Sequence, residues 1–519
     1  MNIHRFFEHH GITDNPFLAE EARHDPVFTR LMDSPPAHPD FEKIMGELDN
    51  PSTAVVFGEK GSGKTAIRML IARKLTAHNQ RHADRRMLLV AYDDLNPVLD
   101  RLLERRRQEL GFRRAVRAGV DHLLNLVRLE DHQDAILSRA VTRIVDEALG
   151  GGEKADANAQ ARAKVKRLPR HQRVNLAVLA ALYDQSPSGG AIERWGRLLS
   201  LLRVRGRWSN RMPWLGAFVL TMVAVAMACV DYWPGVEISS GLAAVVRWAA
   251  IVPGVSALWL WGVALSGWVS RWSLARKIRR EMVAVDRQEH DLREMLGDLK
   301  RGDLAHQPLP HARPGQTADA ARYQLTEQFM ELIGVLGYRG MLVLIDRIDE
   351  PTVVSGQTNR MQAVIWPMFD HKFLQQRGIG IKLMLPIELR HVLHRQTREF
   401  FQEARLDKQH LVDRLSWSGA TLYDLCCSRL TACRGEDGEP AYLTQLFDED
   451  VTAELLIDAL DQMQQPRDAF KFLYNVIQEH CRNVPDERPS YRIPRLTLEA
   501  VRRQQTQRVQ DVHQGVSPG

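Results

Sequence analysis

The amino-acid sequence predicts an α/β fold in which a parallel sheet is split by a long helical insertion and followed by a helical C-terminal region. Apolar runs of strand length lie towards both ends of the chain and stop at glycine-rich or acidic turns, as buried parallel strands do. Charged segments with periodic leucines fill the middle, which is typical of helices. Within that middle, two uncharged stretches are long enough to cross a bilayer.

Composition narrows the class of protein. Of the 519 residues, 44% are hydrophobic and 26% are charged, so the chain is globular and long enough for several domains. The formal charge is only +6, and basic residues beside the apolar stretches carry much of it, so nucleic-acid binding is a less favoured alternative. The five cysteines form no CxxC pair, which predicts neither a zinc ribbon nor a disulfide framework. Residues 1–17 lack an apolar core, so no secretory signal is expected.

A glycine-rich turn follows the first apolar run, at 54–57. It fits the pattern G-x-x-x-x-G-K-[ST] and precedes a helix-forming segment at 66–75, which is the context that a phosphate-binding loop requires. The residues of the motif are Gly58, Glu59, Lys60, Gly61, Ser62, Gly63, Lys64 and Thr65. The sequence therefore predicts a nucleotide site, and the alternative is a purely structural loop.

Each part of this loop has an expected chemical role. Glycines let successive backbone N–H groups, up to that of Ala66, point at phosphate oxygens, and the helix N-terminus adds partial positive charge. Lys64 is expected to reach the β and γ phosphates, and the Thr65 hydroxyl to hold Mg²⁺. The ion also needs a carboxylate ligand and the attacking water needs a base, both expected from a neighbouring strand.

The run 341–350, "MLVLIDRIDE", is the best source of those acids. Its apolar residues predict a strand buried on both faces, with Asp346 at the carboxyl end, where parallel sheets bind their ligands. Asp346 is then the Mg²⁺ carboxylate. Asp349 and Glu350 are candidates to polarise the water, and Glu350 is favoured. The alternative is a strand that ends in a solvated acidic turn.

Other elements follow from the same patterns. Further strands are predicted at 87–92 and 380–385, a helix at 360–374, and a helix within 415–430 capped by Ser418. The polar segment 150–166 is predicted to be a flexible connector.

Two membrane-crossing helices are predicted at 213–230 and 248–270, neither of which contains a charged residue. Basic residues flank the pair on its outer sides, whereas the connector 231–241 has two acids and no lysine or arginine. This distribution predicts a hairpin with both ends in the cytosol. The alternative is a pair of buried core helices. The flanking basic residues are Arg203, Arg205, Arg207, Arg211, Arg271, Arg276, Lys277, Arg279 and Arg280.

The two nucleotide motifs resemble those of P-loop ATPases of the STAND and AAA+ type, whose second motif is an apolar strand, Asp, any residue, an apolar residue, Asp, and Glu or Arg. "LVLIDRIDE" fits that pattern, with Arg347 where many members have a small or acidic residue. An ATPase core interrupted by transmembrane helices between its two motifs is similar to the KAP group of P-loop NTPases. That group's second motif tends to end in Asp-Arg, whereas this chain has Asp349-Glu350.

The resemblance implies further assignments. The nucleotide would be ATP, since no guanine-specific Asn-Lys-x-Asp motif is present. Arg467, in a Pro-Arg-Asp helix start, would approach the γ phosphate from a C-terminal lid, unless it is a solvated arginine. Residues 15–17 would pack beside the adenine, unless they form a plain turn. Glu388 and Arg390 would replace the polar sensor residue that AAA+ proteins place at the end of the strand predicted at 380–385. The candidates for a trans-acting arginine finger are Arg390, Arg395, Arg398 and Arg429.

A KAP-like organisation divides the chain into five parts. Residues 1–52 lead into the core, 53–98 form its first part, 99–318 form the helical insertion with transmembrane helices at about 213–231 and 245–270, 319–400 form the second part of the core, and 401–519 form the helical lid and tail. The implied protein is an ATPase of the inner membrane, with its ATPase domain in the cytoplasm.

The implied function is hydrolysis of ATP with Mg²⁺ to drive a conformational or assembly switch. It would act as a homo-oligomer with an unidentified protein partner, in signalling or in defence against phage. Two alternatives stay open. One is a membrane scaffold that binds ATP without turnover, and the other is a membrane-tethered DNA-handling AAA+ ATPase.

Overall fold

The computed structural model describes residues 1–18, 21–32, 38–110, 119–150, 155–186, 189–204, 207–229, 240–310, 318–434 and 440–513. The chain divides into two compact units. The first contains Met1–Leu95 and Gly340–Gly519, and the second contains Asn96–Arg339. The sequence predicted an insertion at 99–318, so the second unit extends further towards the C-terminus than that prediction.

A five-stranded parallel sheet forms the centre of the first unit, in the order β2-β3-β4-β1-β5. All four strands predicted from apolar runs are confirmed, each with slightly different ends. The strands are β1 (Ala54–Gly58), β2 (Arg86–Tyr92), β3 (Tyr338–Ile345), β4 (Ile379–Pro386) and β5 (His410–Val412).

The strands that carry the two sequence motifs, β1 and β3, are not neighbours. The prediction that the acids lie on a strand next to that of the glycine-rich loop is therefore wrong. β4 lies between these two strands and pairs in parallel with β1 on one side and with β3 on the other. The register places Val55, Leu383 and Ile345 in one row across the three strands. The carboxyl ends of β1 and β3 therefore reach the same edge of the sheet.

β5 was not predicted, and it lies in the region that the sequence assigned to the lid, 401–519. It pairs in parallel with the free side of β1, with Ala54 opposite His410 and Val56 opposite Val412. Three residues are too few to show a strand pattern. The helix predicted at 360–374 is confirmed over 360–365 and 371–374 but is not continuous, because Pro367 lies in a 3₁₀ turn that ends the helix Thr358–Ile365.

Helices surround this sheet and form the C-terminal part of the unit. Ser418 caps the helix Gly419–Ala432 as predicted, its Oγ accepting from the Thr421 N–H. The α-helices are Ile3–His9, Pro26–Leu31, Phe41–Met45, Lys64–Arg81, Thr358–Ile365, His371–Leu374, Ile387–His394, Arg398–Ala404, Gly419–Ala432, Ala453–Asp461, Pro466–Asn483 and Arg495–His513. Short 3₁₀ helices lie at Ala22–His24, Trp366–Met368, Leu406–Lys408 and Leu443–Leu446.

Two apolar clusters stabilise the first unit. One joins the sheet to the helix after β1, with Val56, Leu344 and Met384 packed against Ile67 and Ile71. The other joins the N-terminal residues to the C-terminal helices. The N-terminal segment therefore packs as part of the helical C-terminal region instead of only leading into the sheet.

The second unit is helical, and its core contains a buried ion pair. Arg322 donates from Nε and Nη2 to the two oxygens of Asp134 at 3.0 and 2.8 Å, and the Tyr183 hydroxyl donates to Asp134 Oδ1. Arg322 lies on the helix Ala318–Val335, which explains why this helix belongs to the second unit.

The predicted connector at 150–166 is wrong over its described part. Residues Ala155–Arg167 form a helix, because alanine, glutamine, lysine and arginine favour helix even in a polar segment. The helices of the unit are Asn96–Leu110, Leu129–Leu149, Ala155–Arg167, Arg170–Tyr183, Ala191–Leu202, Arg207–Ala228, Ser240–Ala249, Ile251–Glu281, Glu289–Asp298, Arg301–Ala305 and Ala318–Val335, and 119–124 are also helical.

The two apolar stretches are helices that expose their apolar side chains. Their membrane-length segments are Asn210–Ala228 and Ala244–Glu281, with 6% and 11% of the most apolar windows buried. Leu258 and Trp259 are 73% and 69% exposed. The alternative of two buried core helices is therefore wrong. The helices pack on each other, and the Trp261 indole donates to the Thr221 hydroxyl at 3.2 Å. The connector between them lies outside the described residues over 230–239.

Lys382, in the middle of β4, gives the first unit a testable pH dependence. The side chain is fully buried, its ammonium donates to the Ser52 carbonyl at 2.7 Å, and burial lowers its pKa to about 7. In an unfolded chain the lysine pKa is about 10.5. Between these values the unfolded chain binds a proton that the native protein lacks, so stability should rise by about 2 kcal/mol from pH 7 to 9.

We expect Lys382→Met to remove this rise and to increase the thermal midpoint at pH 7. The exposed Lys372→Met is the matched control and should keep the wild-type pH profile. Thermal unfolding in detergent between pH 7 and 9 measures the effect, and an unchanged slope in Lys382→Met would contradict it.

Candidate functional site

The glycine-rich loop connects β1 to the helix Lys64–Arg81, as the motif predicts. Gly61 and Gly63 have φ of 104° and 93°, which favours glycine at both positions. Ser62 is fully buried, and its hydroxyl donates to the Glu59 carbonyl at 2.9 Å. Ser62 is the one residue of this motif that does not line the pocket described below.

Lys64 extends over the start of the loop. Its ammonium donates to the carbonyls of Gly58 and Glu59 at 2.5 and 2.9 Å. Burial lowers the pKa of Lys64, and the nearby carboxylates, above all Asp346 and Asp349, oppose that shift. The lysine of the first motif thus lies within electrostatic reach of the acids of the second.

Thr65 and Asp346 meet at the carboxyl edge of the sheet. The Thr65 hydroxyl donates to Asp346 Oδ2 at 3.3 Å, although 281 residues separate the two in the chain. Asp346 is 2% exposed. Burial raises its pKa, while Arg68 and Lys64 lower it by their positive charge.

Arg68 is a site residue that the sequence analysis missed. It lies one helical turn after Thr65, its Nε is 3.5 Å from Asp346 Oδ2, and its Nη1 pairs with Asp93 at the end of β2. Arg23 also pairs with Asp93, at 2.9 Å. The helical spacing from Thr65 was the available clue, because residues three apart share a helix face.

Asp349 and Glu350 both line the pocket, but Glu350 is engaged elsewhere. Its carboxylate is 3.0 Å from Nη1 of Arg347, and half of its side chain is exposed. Arg347 adopts a left-handed backbone, with φ of 63°. Partial burial raises the pKa of Glu350 and the Arg347 charge lowers it, while Asp349 and Asp346 raise it further.

The start of the helix Pro466–Asn483 lies directly on the loop. A Cβ at Gly61 would be 2.9 Å from Cβ of Arg467 and 3.1 Å from Oε1 of Gln465. Glu59 accepts from the Gln465 amide and pairs with Arg414 at 2.7 Å. The predicted lid arginine is therefore in contact with the predicted phosphate-binding loop.

Trp417 supports the loop from another side, and sequence patterns did not indicate it. Its indole N–H donates to the Ser62 carbonyl at 2.9 Å. Its ring makes an edge-to-face contact with the His38 ring, with the ring centres 4.8 Å apart. His38 accepts from the Asp40 N–H and donates to the Ser416 carbonyl, so it is held as the neutral ring. Burial lowers the pKa of His38, which agrees with that state.

These residues enclose a pocket of about 400 Å³ within the first unit. It brings together most of the predicted site residues and adds a wall from 21–31. Residues 15–17, predicted to pack beside the adenine, are not part of its lining, and Phe17 is a core residue. The predicted site residues that line it are Gly58, Glu59, Lys60, Gly61, Gly63, Lys64, Thr65, Ala66, Asp346, Asp349, Glu350 and Arg467.

The remaining candidate residues, Glu388 and the four arginines, lie at different places in the first unit. Glu388 lines the pocket, whereas Arg390 lines an adjacent cavity of about 320 Å³ on the other side of Glu59. Arg395 and Arg398 are exposed, as an arginine finger requires. Arg429 is 2% exposed within its own chain, so the prediction that it could act on a second subunit is wrong.

No protein-family model matches this chain, and comparisons with curated proteins and with solved structures find no similar protein. Its function is therefore inferred from the geometry and chemistry of the pocket.

The contact at Gly61 predicts a strong effect of a single methyl group. Gly61→Ala adds a Cβ that collides with Arg467 and also strains the backbone. Gly11→Ala is the matched control, since Gly11 also has a positive φ but nothing lies within 4 Å of an added Cβ. We expect Gly61→Ala to lower the unfolding free energy by about 1–3 kcal/mol more than Gly11→Ala. Equal thermal midpoints for the two variants would contradict the contact.

Proposed function

We propose that the protein is a membrane-anchored P-loop ATPase, similar in organisation to the KAP group, that binds ATP with Mg²⁺ and hydrolyses it to drive a conformational or assembly switch. The observation that carries the proposal is the 3.3 Å contact between the Thr65 hydroxyl and the Asp346 carboxylate beside the glycine-rich loop. A hydroxyl, a buried carboxylate and a lysine converge there, as Mg²⁺-dependent phosphoryl transfer requires.

The donor set at this point fits Mg²⁺. The ion prefers oxygen ligands and is usually held by one or two protein groups together with phosphate oxygens. Thr65 and Asp346 would hold it. When bound, Mg²⁺ would neutralise charge on the β and γ phosphates.

The glycine-rich loop and the side chains of Lys64 and Arg467 would bind the phosphates. The N–H groups of Gly61 and of Gly63 to Ala66, together with the helix N-terminus, would provide donors for the phosphate oxygens, whereas the Ser62 N–H donates to the Glu59 carbonyl. The Lys64 ammonium, which donates to two loop carbonyls, would exchange them for phosphate oxygens, which are charged and stronger acceptors. Arg467 lies against Gly61 and would approach the γ phosphate.

Hydrolysis would use a carboxylate to orient water. The water oxygen forms a bond to the γ phosphorus, the bond from that phosphorus to the bridging oxygen breaks, and ADP and phosphate leave. Glu350, or Asp349 beside it, would accept the water proton. The raised pKa of Glu350 suits a proton acceptor.

One observation favours a second candidate, a scaffold that binds ATP without turnover. Glu350 pairs with Arg347 and is half exposed, so it is not free to orient water unless that pair opens. The two candidates differ in whether the pair opens when ATP binds.

Phosphate release from detergent-solubilised protein tests the proposal. We expect Lys64→Ala to weaken ATP binding, and Glu350→Gln to keep ATP binding but slow phosphate release at least about 100-fold. Lys74→Ala is the matched control, because Lys74 is on the same helix, pairs with Glu42 at the surface and does not line the pocket.

The outcomes separate the candidates. ATP binding without phosphate release, unaffected by Glu350→Gln, would support the scaffold. Equal ATP affinity in wild type and Lys64→Ala would overturn both candidates.

Membrane anchoring is proposed from the two exposed apolar helices. Flanking arginines and an acidic connector favour a hairpin with both ends in the cytoplasm of a bacterial cell. Oligomerisation and any role in signalling or phage defence are proposals that rest on the family resemblance alone.

Labelling with a membrane-impermeant maleimide tests the topology. In intact spheroplasts, and in a Cys229→Ser background that removes the exposed native thiol at the outer end of the first apolar helix, we expect Glu237→Cys, in the connector, to be labelled, and Lys74→Cys, on the helix that follows the glycine-rich loop, to be labelled only after lysis. Labelling of both cysteines before lysis would contradict the hairpin, as would loss of the protein from membranes during carbonate extraction.

A further inference from the structure

The pocket has an apolar wall in addition to its phosphate-binding loop and carboxylates. This wall consists of side chains from the segment 22–31, from the helix after β1 and from two C-terminal helices. Its main members are Phe28, Leu31, Ile67, Leu70, Leu425 and Phe470. Such a surface suits a flat aromatic ligand, with polar groups needed only to fix its orientation.

Arg429 is the polar group that belongs to this wall. It lines the pocket and is 2% exposed. Three contacts hold its guanidinium. Nε donates to the Pro16 carbonyl at 2.6 Å, Nη1 donates to Asp25 Oδ2 at 2.6 Å, and the guanidinium carbon lies 4.4 Å from the centre of the Phe470 ring. The plane of the guanidinium is therefore fixed before any ligand binds.

The third nitrogen of this guanidinium has no acceptor among the described residues. Nη2 is buried and makes no hydrogen bond, although Nε and Nη1 are both satisfied. Buried donors are nearly always paired, and an unpaired donor on a charged group costs folding free energy. Because Arg429 lines the pocket, this unpaired donor indicates a ligand atom that accepts from it.

The position of Arg429 relative to the loop indicates which part of the ligand it meets. Arg467 lies against Gly61 in the loop. Phe470 is one helical turn after Arg467, and the Arg429 guanidinium packs on the face of its ring. A nucleotide with phosphates on the loop would thus extend its base towards Arg429. Asp25 Oδ1 accepts from the N–H groups of Val27 and Phe28, so Oδ2, which accepts from Arg429 Nη1 alone among the described residues, is the neighbouring acceptor.

We propose that Arg429 determines base specificity by donating a hydrogen bond from Nη2 to a ring nitrogen of a purine. The inference rests on the proposed ATP site and adds to it the residue that recognises the base. A ring nitrogen beside an exocyclic amine, as in adenine, matches the adjacent donor and acceptor of the Arg429–Asp25 pair.

Binding of ATP and its 1-deaza, 3-deaza and 7-deaza analogues to the full-length protein tests this role. Each analogue replaces one ring nitrogen by C–H. Because N1 and N7 are the ring nitrogens beside the exocyclic amine, wild type should bind either the 1-deaza or the 7-deaza analogue roughly 10- to 100-fold more weakly than ATP and should bind the 3-deaza analogue like ATP. Arg429→Met should bind ATP as weakly as wild type binds that analogue and should no longer discriminate between the two. Arg30→Met is the matched control. Arg30 pairs with Asp14 at the surface and donates to the Ala432 carbonyl, at the end of the helix that contains Arg429.

The binding measurements separate a failure of the Arg429 role from a failure of the ATP site. Arg429 also holds Pro16 and Asp25, so if Arg429→Met fails to fold, the panel on wild type decides alone. Equal affinity of wild type for ATP and all three analogues would overturn the role of Arg429 and leave the ATP site intact, as would discrimination that persists in Arg429→Met. Failure of wild type to bind any nucleotide would overturn the ATP site and this inference together.

Discussion

The parallel pairing of β4 with β1 on one side and β3 on the other is the constraint on which the rest of the first unit depends. It aligns Val55, Leu383 and Ile345 in one row, so the turns after β1 and β3 leave the sheet at the same edge. Ligand sites of parallel sheets lie at this edge. The chain between the two turns forms a second compact unit, yet the pairing brings Thr65 and Asp346 into contact. Without this register the loop and the carboxylates would be separate surface features.

The site concentrates opposite charges around the buried Asp346, and the pKa shifts of these groups reflect the balance between burial and charge. Burial lowers the pKa of Lys64 and raises the pKa of Asp346, whereas the attraction between them opposes both shifts. Arg68 adds a second cation next to Asp346. A divalent ion at the carboxylate would change this balance, because buried charges are tolerated only when they are paired. Around the centre, Glu59 accepts from Gln465 and Trp417 donates to the Ser62 carbonyl, so both residues connect the loop to the C-terminal region.

Sequence reasoning recovered the elements with local patterns and missed those that depend on distant contacts. Apolar runs identified β1 to β4, and the spacing of glycines, lysine and threonine identified the loop, because these features are encoded within a few residues. β5 is too short for a pattern, and the position of β4 between β1 and β3 follows from pairing, not from order in the chain. Arg68, Trp417 and the buried state of Arg429 became visible only when segments hundreds of residues apart came together. The helix Ala155–Arg167 was missed for a different reason, since a polar composition was given more weight than helix propensity.

The most direct test of this account is a double-mutant cycle between Thr65 and Asp346, measured as the Mg²⁺-dependent part of ATP affinity. If the two side chains share one ion, Thr65→Ala and Asp346→Asn should each weaken Mg²⁺-dependent ATP binding. The loss of binding free energy in the double variant should then be much smaller than the sum of the losses in the two single variants. The coupling should be at least about 1 kcal/mol, whereas residues that do not interact add to within about 0.5 kcal/mol. Fully additive effects, or ATP binding that does not depend on Mg²⁺, would contradict the account.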